Sequence, residues 1–208
     1  MIAKKFPVRS ILKTISYVIV GRDVEVVGAS QDVWDLLPPD FNTEAGACAL
    51  ADLFQANLVL RPEVPAPFRH YSFSADPEDW MEPHWMDFAG MVGASHGCLE
   101  GDYTWVLFRH RDRPHDHGHW LECRVGADGS LLRDPFRDLG REQALCRQAE
   151  QTFGLRPLES SVPEVPPPTV KRKRKRAPKR AEVELSTRQP TKKELARDVL
   201  DSAWPEPG

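Results

Sequence analysis

Apolar positions along the first 157 residues change period several times, and each change marks an element. Residues 2–6 are short and apolar enough for a first strand. Ser10 can cap a helix on which Ile11, Ile15 and Val18 recur at helical spacing, with Tyr17 on it or at its end. Residues 22–42 mix a short Val-rich segment with turn residues such as Pro38-Pro39-Asp40. Asn42-Thr43-Glu44 then opens an Ala/Leu-rich helix to about Leu58, ended by the Pro-rich loop Arg61 to Pro67. His70-Tyr71-Ser72-Phe73-Ser74 alternates as a strand does. A helix beginning at Asp76 or Asp79 carries Trp80, Met81, Trp85, Met86, Phe88 and Met91, a stripe expected in the core. Two further strand-like runs, Tyr103 to Phe108 and Trp120 to Val125, flank a charged segment; Gly126-Ala127-Asp128-Gly129 is a tight-turn signal after them. A last helix spans about Arg137 to Phe153. Strands interleaved with helices predict an α+β sandwich with a central, mainly antiparallel sheet flanked by helices.

Composition divides the 208 residues. The hydrophobic fraction of 40% suffices for one sizeable core. After Leu158 the chain turns Pro/Val-rich and then runs Lys171-Arg172-Lys173-Arg174-Lys175-Arg176. Such a stretch cannot bury a core and is expected to be disordered. The expected organisation is a domain over 1–157, a Pro-rich, basic linker over 158–190, and a tail over 191–208 with a short helix through Leu195, Val199 and Leu200.

The net charge of −3 hides an asymmetry: residues 1–170 hold 16 basic and 25 acidic side chains, residues 171–208 hold 12 and 6. The basic tail suits a polyanion such as nucleic acid; the acidic front does not, unless metal ions or a local basic patch offset it. Cys48, Cys98, Cys123 and Cys146 show no paired metal-ligand spacing and read as reduced, mostly buried thiols of a cytosolic protein. No apolar core of a signal peptide follows the basic start, and no run approaches a membrane span.

The charged segment carries the chemistry. His110-Arg111-Asp112-Arg113-Pro114-His115-Asp116-His117-Gly118-His119 holds four of the seven histidines. Imidazoles two residues apart on a strand share a face, and a third can arrive from the neighbouring strand. Three converging imidazoles make a divalent metal site with open positions. The plain alternative is a solvated, His-rich hairpin loop.

Three stretches resemble the conjugative relaxases, the strand-nicking transesterases of plasmid mobilisation within the HUH endonuclease superfamily, and most closely the MobP class of IncP-plasmid type. The first is Met1-Ile2-Ala3-Lys4-Lys5-Phe6-Pro7-Val8-Arg9-Ser10-Ile11, followed by Tyr17-Val18-Ile19. The second is His70-Tyr71-Ser72-Phe73. The third is His-x-Asp-x4-His-x-His, met by His110, Asp112, His117 and His119. Arg124-Val125, Asp128-Gly129, Arg133-Asp134-Pro135 and the closing helix to Gly154-Leu155 are also similar, so the resemblance covers about residues 1–157.

The resemblance implies a relaxase-like fold and a relaxase in the bacterial cytoplasm, with no membrane insertion. It would nick one strand of single-stranded or supercoiled plasmid DNA at a transfer origin, with relaxosome accessory proteins and a coupling protein as partners. Tyr17 would be the catalytic nucleophile, forming a 5′-phosphotyrosine. His110, His117 and His119 would hold a divalent ion (Mg, Mn or another; imidazoles also admit Zn, Ni or Co). Asp112 would fix an imidazole tautomer, Ser72 would contact DNA, and the run Lys171 to Arg176 would add salt-dependent phosphate binding.

His115 and Asp116 would face solvent, His70 and His84 would be structural, and His96 would lie in a loop. Two positions depart from the pattern: Gly118 stands where a bulky apolar residue is usual, and Cys123 where an asparagine is. Two other readings fit the same residues: a non-catalytic relaxase-like DNA-binding or regulatory protein, and an unrelated His-metal phosphodiesterase.

Overall fold

Among the described residues the elements run β1 (Ile2–Phe6), α1 (Ile11–Ile19), β2 (Val24–Ala29), α2 (Gln31–Leu36), α3 (Glu44–Ala56), β3 (Phe68–Ser74), α4 (Trp85–His96), β4 (Trp105–His110), β5 (His117–Cys123) and α5 (Asp138–Phe153). The structure, a computed structural model, describes residues 1–132 and 138–159. The expected linker beyond Glu159, the basic run Lys171 to Arg176, the short helix of the tail and Arg133-Asp134-Pro135 lie outside the described residues.

The strands form one sheet, ordered β1-β3-β5-β4-β2, with every neighbouring pair antiparallel. The α+β class and the antiparallel sheet are as the sequence predicts. β5 lies at the centre, and both β4 and β5 are buried along their whole length.

Alternation sorts the side chains onto two faces. On one face Val106, Phe108, Leu121 and Cys123 pack with Ile11, Ile15, Val18 and Ile19 of α1 and with Ala47, Leu50, Ala51 and Phe54 of α3. On the other, Tyr71, Phe73, Leu107 and Trp120 pack with Trp85, Phe88, Ala89 and Val92 of α4 and Leu145, Cys146 and Ala149 of α5.

Caps fix the helices that matter for the site. The Ser10 side chain accepts from the Lys13 backbone N–H to start α1, and the Thr43 hydroxyl accepts from the Gly46 N–H to start α3. α1 buries Ile11, Ile15, Val18 and Ile19 and leaves Tyr17 outward, 58% exposed, so Tyr17 is not a core residue.

Several expectations need correction. β2 and α2 occupy a region read only as Val-rich and turn-forming. β2 carries a register shift between Val26 and Gly28, which breaks the period-2 signal. α4 begins at Trp85, nine residues after Asp76, because a 3₁₀ turn containing Pro83 precedes it. Of the expected apolar stripe, Met81, Trp85 and Phe88 are buried, but Trp80 and Met86 are exposed.

Candidate metal and nucleic-acid site

The loop between β4 and β5 is shorter than the His-rich run suggests, because the run enters both strands. His110 ends β4 and pairs in register with His117, which begins β5. His119 lies two residues along β5 on the same face. One ring nitrogen from each of His110, His117 and His119 lies within 4.8 Å of the others, and all three residues are buried.

Hydrogen bonds aim two of the rings. His70 Nε2 lies 2.8 Å from His119 Nδ1. His117 Nδ1 lies 3.3 Å from the His115 carbonyl oxygen. Each contact engages Nδ1 and leaves Nε2 for the centre of the cluster. His110 is more telling: both its ring nitrogens are buried without a hydrogen-bond partner. Orphaned buried nitrogens cost about 1–3 kcal/mol each, so a native fold retains them for a reason.

The cluster is held neutral. Burial, with His117 close by, lowers His110 to about 4; burial, with His110 and His70 close by, lowers His119 to about 2; burial likewise lowers His117. Neutral imidazoles with lone pairs converging on one point suit a divalent cation. The donor set therefore fits the metal that the sequence resemblance implies, with no preference among the borderline cations.

Asp112 stands at the edge of the cluster. Its Oδ1 is 3.8 Å from His110 Nδ1 and 3.7 Å from His117 Nε2, beyond hydrogen-bond reach. Its Oδ2 accepts from Arg22 Nη1 at 2.8 Å. Slight burial raises its carboxyl, but the Arg22 bond and the facing imidazoles outweigh this and hold it below its usual range. The expected tautomer-fixing contact by Asp112 is therefore not a hydrogen bond here; His70 and the His115 carbonyl make those contacts.

Arg22 joins this loop to the end of α1. Its Nε donates to the Tyr17 carbonyl at 2.9 Å, and its guanidinium carbon sits 5.1 Å from the Tyr17 ring centroid. Tyr17 and His70 also line one groove of about 330 Å³ between α1 and the sheet edge. Ser72 pairs in register with His119, with its side chain on the same face. On β1, Lys4 pairs with Ser72, so a row Lys4–Ser72–His119 crosses the sheet. Sequence reasoning missed Arg22, Lys4 and the part played by His70, since no local spacing links them to the cluster.

The two departures from the family pattern have structural accounts. A Cβ at Gly118 would approach the Trp85 ring at 2.9 Å and the Phe108 carbonyl oxygen at 3.1 Å. The indole from α4 supplies the bulk that a side chain at position 118 would otherwise supply. Cys123 is buried among the apolar residues under α1 and α3, and burial raises its thiol to about 11. It belongs to the core.

The opposite face of β5 carries a second polar cluster, and two expectations fail there. His96 is the last residue of α4, capped by Gly97 at φ +79°, and not a loop residue. Its Nδ1 is 2.5 Å from Glu122 Oε2 and its Nε2 is 3.0 Å from Glu142 Oε1. Trp120 Nε1 and Arg69 Nη1 each donate to Glu122 at 2.7 Å. His96, Cys98 and Glu122 also meet the geometry of a metal cluster. Yet burial, which opposes the His96 charge, is outweighed by the two glutamates, which raise it to about 9. The imidazolium is already the cation, and the network is an ionic support for the centre of the sheet, in which Glu142 Oε2 is buried without a hydrogen-bond partner among the described residues. Asp116, expected at the surface, instead accepts from Arg109 Nε at 3.0 Å and from the Met81 N–H at 3.2 Å, bracing the loop between the histidines.

Residues 42–155 match the family model described as "Relaxase: MobA/VirD2-like, nuclease domain". That segment is more than half of the chain, and the protein belongs to this relaxase family. It is accordingly a DNA relaxase or nuclease of plasmid mobilisation. Among curated proteins none matches the chain. The matched segment includes Ser72 and the His cluster; Tyr17 lies ahead of it. Among the described residues no helix is long and apolar enough to cross a membrane.

Proposed function

We propose that the chain nicks one DNA strand at a plasmid transfer origin by tyrosine transesterification, as a relaxase of the MobP class and IncP-plasmid type. The observation that carries this reading is the neutral triad of His110, His117 and His119, linked to Tyr17 through Asp112 and Arg22.

Tyr17 Oη attacks the scissile phosphorus; the O–P bond forms as the bond to the 3′-oxygen breaks. The products are a 5′-phosphotyrosine and a free 3′-hydroxyl. An ordinary phenol has a pKa near 10, so it must shed its proton on attack. The exposed position of Tyr17 lets that proton leave to solvent, and the 3′-oxygen regains one from solvent. His110, His117 and His119 would hold a divalent ion, which when bound would supply Lewis-acid stabilisation of the phosphate's negative charge. Arg22 holds the end of α1 against the Asp112 loop, and Asp112 balances the charge of Arg22 beside the imidazoles. Ser72, beside His119, positions the DNA backbone. The partners are plasmid DNA at the transfer origin, relaxosome accessory proteins and a coupling protein, in the bacterial cytoplasm. The Lys171 to Arg176 run adds non-specific phosphate binding.

The test is incubation of the protein and a divalent ion with single-stranded oligonucleotides tiled across candidate origins. The expected result is a denaturation-resistant protein–DNA adduct whose labelled peptide contains Tyr17. A Tyr17→Phe variant that still formed the adduct would remove the nucleophile assignment.

A further inference from the structure

The acidic balance of residues 1–170 leaves open how this domain holds a polyanion, and the groove beside Tyr17 is lined by two basic side chains. Arg9 and Lys13 line this groove, and their side-chain charges make no ion pair among the described residues. Elsewhere on the domain cations are commonly paired with acids, as are Arg22, Arg61, Arg69, Arg109, Arg111, Arg147 and Arg156. Lys13 and Tyr17 stand four residues apart on α1 and so share its outward face.

The floor of the groove is aromatic. The Phe6 ring stacks on His70, with centroids 4.9 Å apart and planes at 28°, and Phe6 stays 37% exposed. His70 in turn contacts His119. The groove thus leads from the metal-competent cluster past Tyr17, with a free aromatic face and two uncommitted cations. Those are the parts of a single-strand binding site: a π-face for a base and fixed charges for the backbone.

We propose that this groove seats the nucleotide of single-stranded DNA that flanks the scissile phosphate, its base stacked on Phe6 and its phosphates held by Arg9 and Lys13. The assignment of the flanking position rests on Tyr17 as nucleophile; the groove as a DNA site does not.

The experiment uses the full chain carrying Tyr17→Phe, without added metal, so that binding is read without cleavage. Oligonucleotides bearing 5-iododeoxyuridine are photocrosslinked and the adducts mapped by mass spectrometry; labelled oligothymidine is titrated in parallel at several salt concentrations. Crosslinks at Phe6 or His70 are expected. Arg9→Gln with Lys13→Gln should lower the salt slope by about 1.4, given roughly 0.7 per phosphate contact on a single strand. Arg61→Gln, which removes a charge outside the groove, should leave it unchanged. Phe6→Ala should weaken binding about ten-fold and Phe6→Trp should restore it. Crosslinks confined to Lys171–Arg176, or an unchanged slope in the double variant, would overturn the proposal. If the parent protein with a divalent ion forms the Tyr17 adduct while the Tyr17→Phe protein gives no crosslink in the groove, the groove alone is wrong; groove crosslinks in Tyr17→Phe with no adduct in the parent would sink the catalytic reading alone.

Discussion

Nε2 of His70 lies 2.8 Å from Nδ1 of His119, so one imidazole orients another at the centre of the candidate metal site. When His119 presents its Nε2 lone pair to a cation, its Nδ1–H donates to His70, which must be neutral. Burial, with His110 nearby, lowers His70 to about 4, which keeps it so. Supporting hydrogen bonds of this kind fix ring orientation and raise ligand basicity.

His70→Ala should weaken divalent-ion affinity about 10- to 100-fold while the three ligands remain. His70→Gln, which can still accept from His119, should recover part of it. Calorimetric titration with Mn²⁺ or Zn²⁺ measures both. Equal affinity in all three proteins would mean that His70 only packs against Phe6.

His110 gives a second, opposite signature. Both its nitrogens are buried and orphaned, so the metal-free protein carries a cost there. His110→Leu removes that cost, and the metal-free variant should be at least as stable as the parent in urea. The parent should gain about 2.7 kcal/mol when the ion is present at a hundred times its Kd. The variant should gain none. A metal-induced shift of the same size in His110→Leu would exclude it as a ligand.

The triad was legible because its signal is local: His117 and His119 are two apart, and His110 closes the same hairpin. The sheet class and most of the helices were legible for the same reason, since alternation and helical spacing act within a few residues. β2 was not, because its bulge at Val26/Gly28 breaks the alternation; Gly28 is there because a Cβ would meet Ala89 at 2.6 Å. Arg22 was not legible, because its partner Asp112 is 90 positions away. Nor was His96, whose partners Glu122 and Glu142 are supplied by a strand and a helix that only folding brings together.

Gly118 and Trp85 should behave as one packing unit. Gly118→Val places a Cβ 2.9 Å from the Trp85 ring and 3.1 Å from a backbone oxygen that cannot retreat. The expected loss is about 1–3 kcal/mol, read from the urea midpoint. In Gly118→Val with Trp85→Leu the vacated indole space accepts the new side chain. The double variant should then lose less than the sum of the singles, by about 1 kcal/mol. Strict additivity would mean that the strain comes from Leu107 and the Phe108 carbonyl, each 3.1 Å from that Cβ, and not from Trp85.

Stability should also depend on pH through the His96 network. His96 rises from 6.5 to about 9 on folding, so the folded state holds its proton more tightly. Its contribution is therefore complete below pH 6.5 and is lost as pH climbs through about 9. Glu122 moves the other way. Burial works against its charge, but His96, Arg69 and Trp120 prevail and lower it to about 2. Its contribution is complete above its ordinary value of 4.5 and is lost as pH falls toward 2. Urea midpoints taken from pH 6 to 10 should hold to about pH 6.5 in the parent and decline from there to about pH 9. His96→Gln starts lower, because it leaves Glu142 buried without its cation and Glu122 with Arg69 alone. With no imidazole left to titrate, its curve should be much flatter over the same range. A parallel decline in both proteins would assign the alkaline loss to other groups.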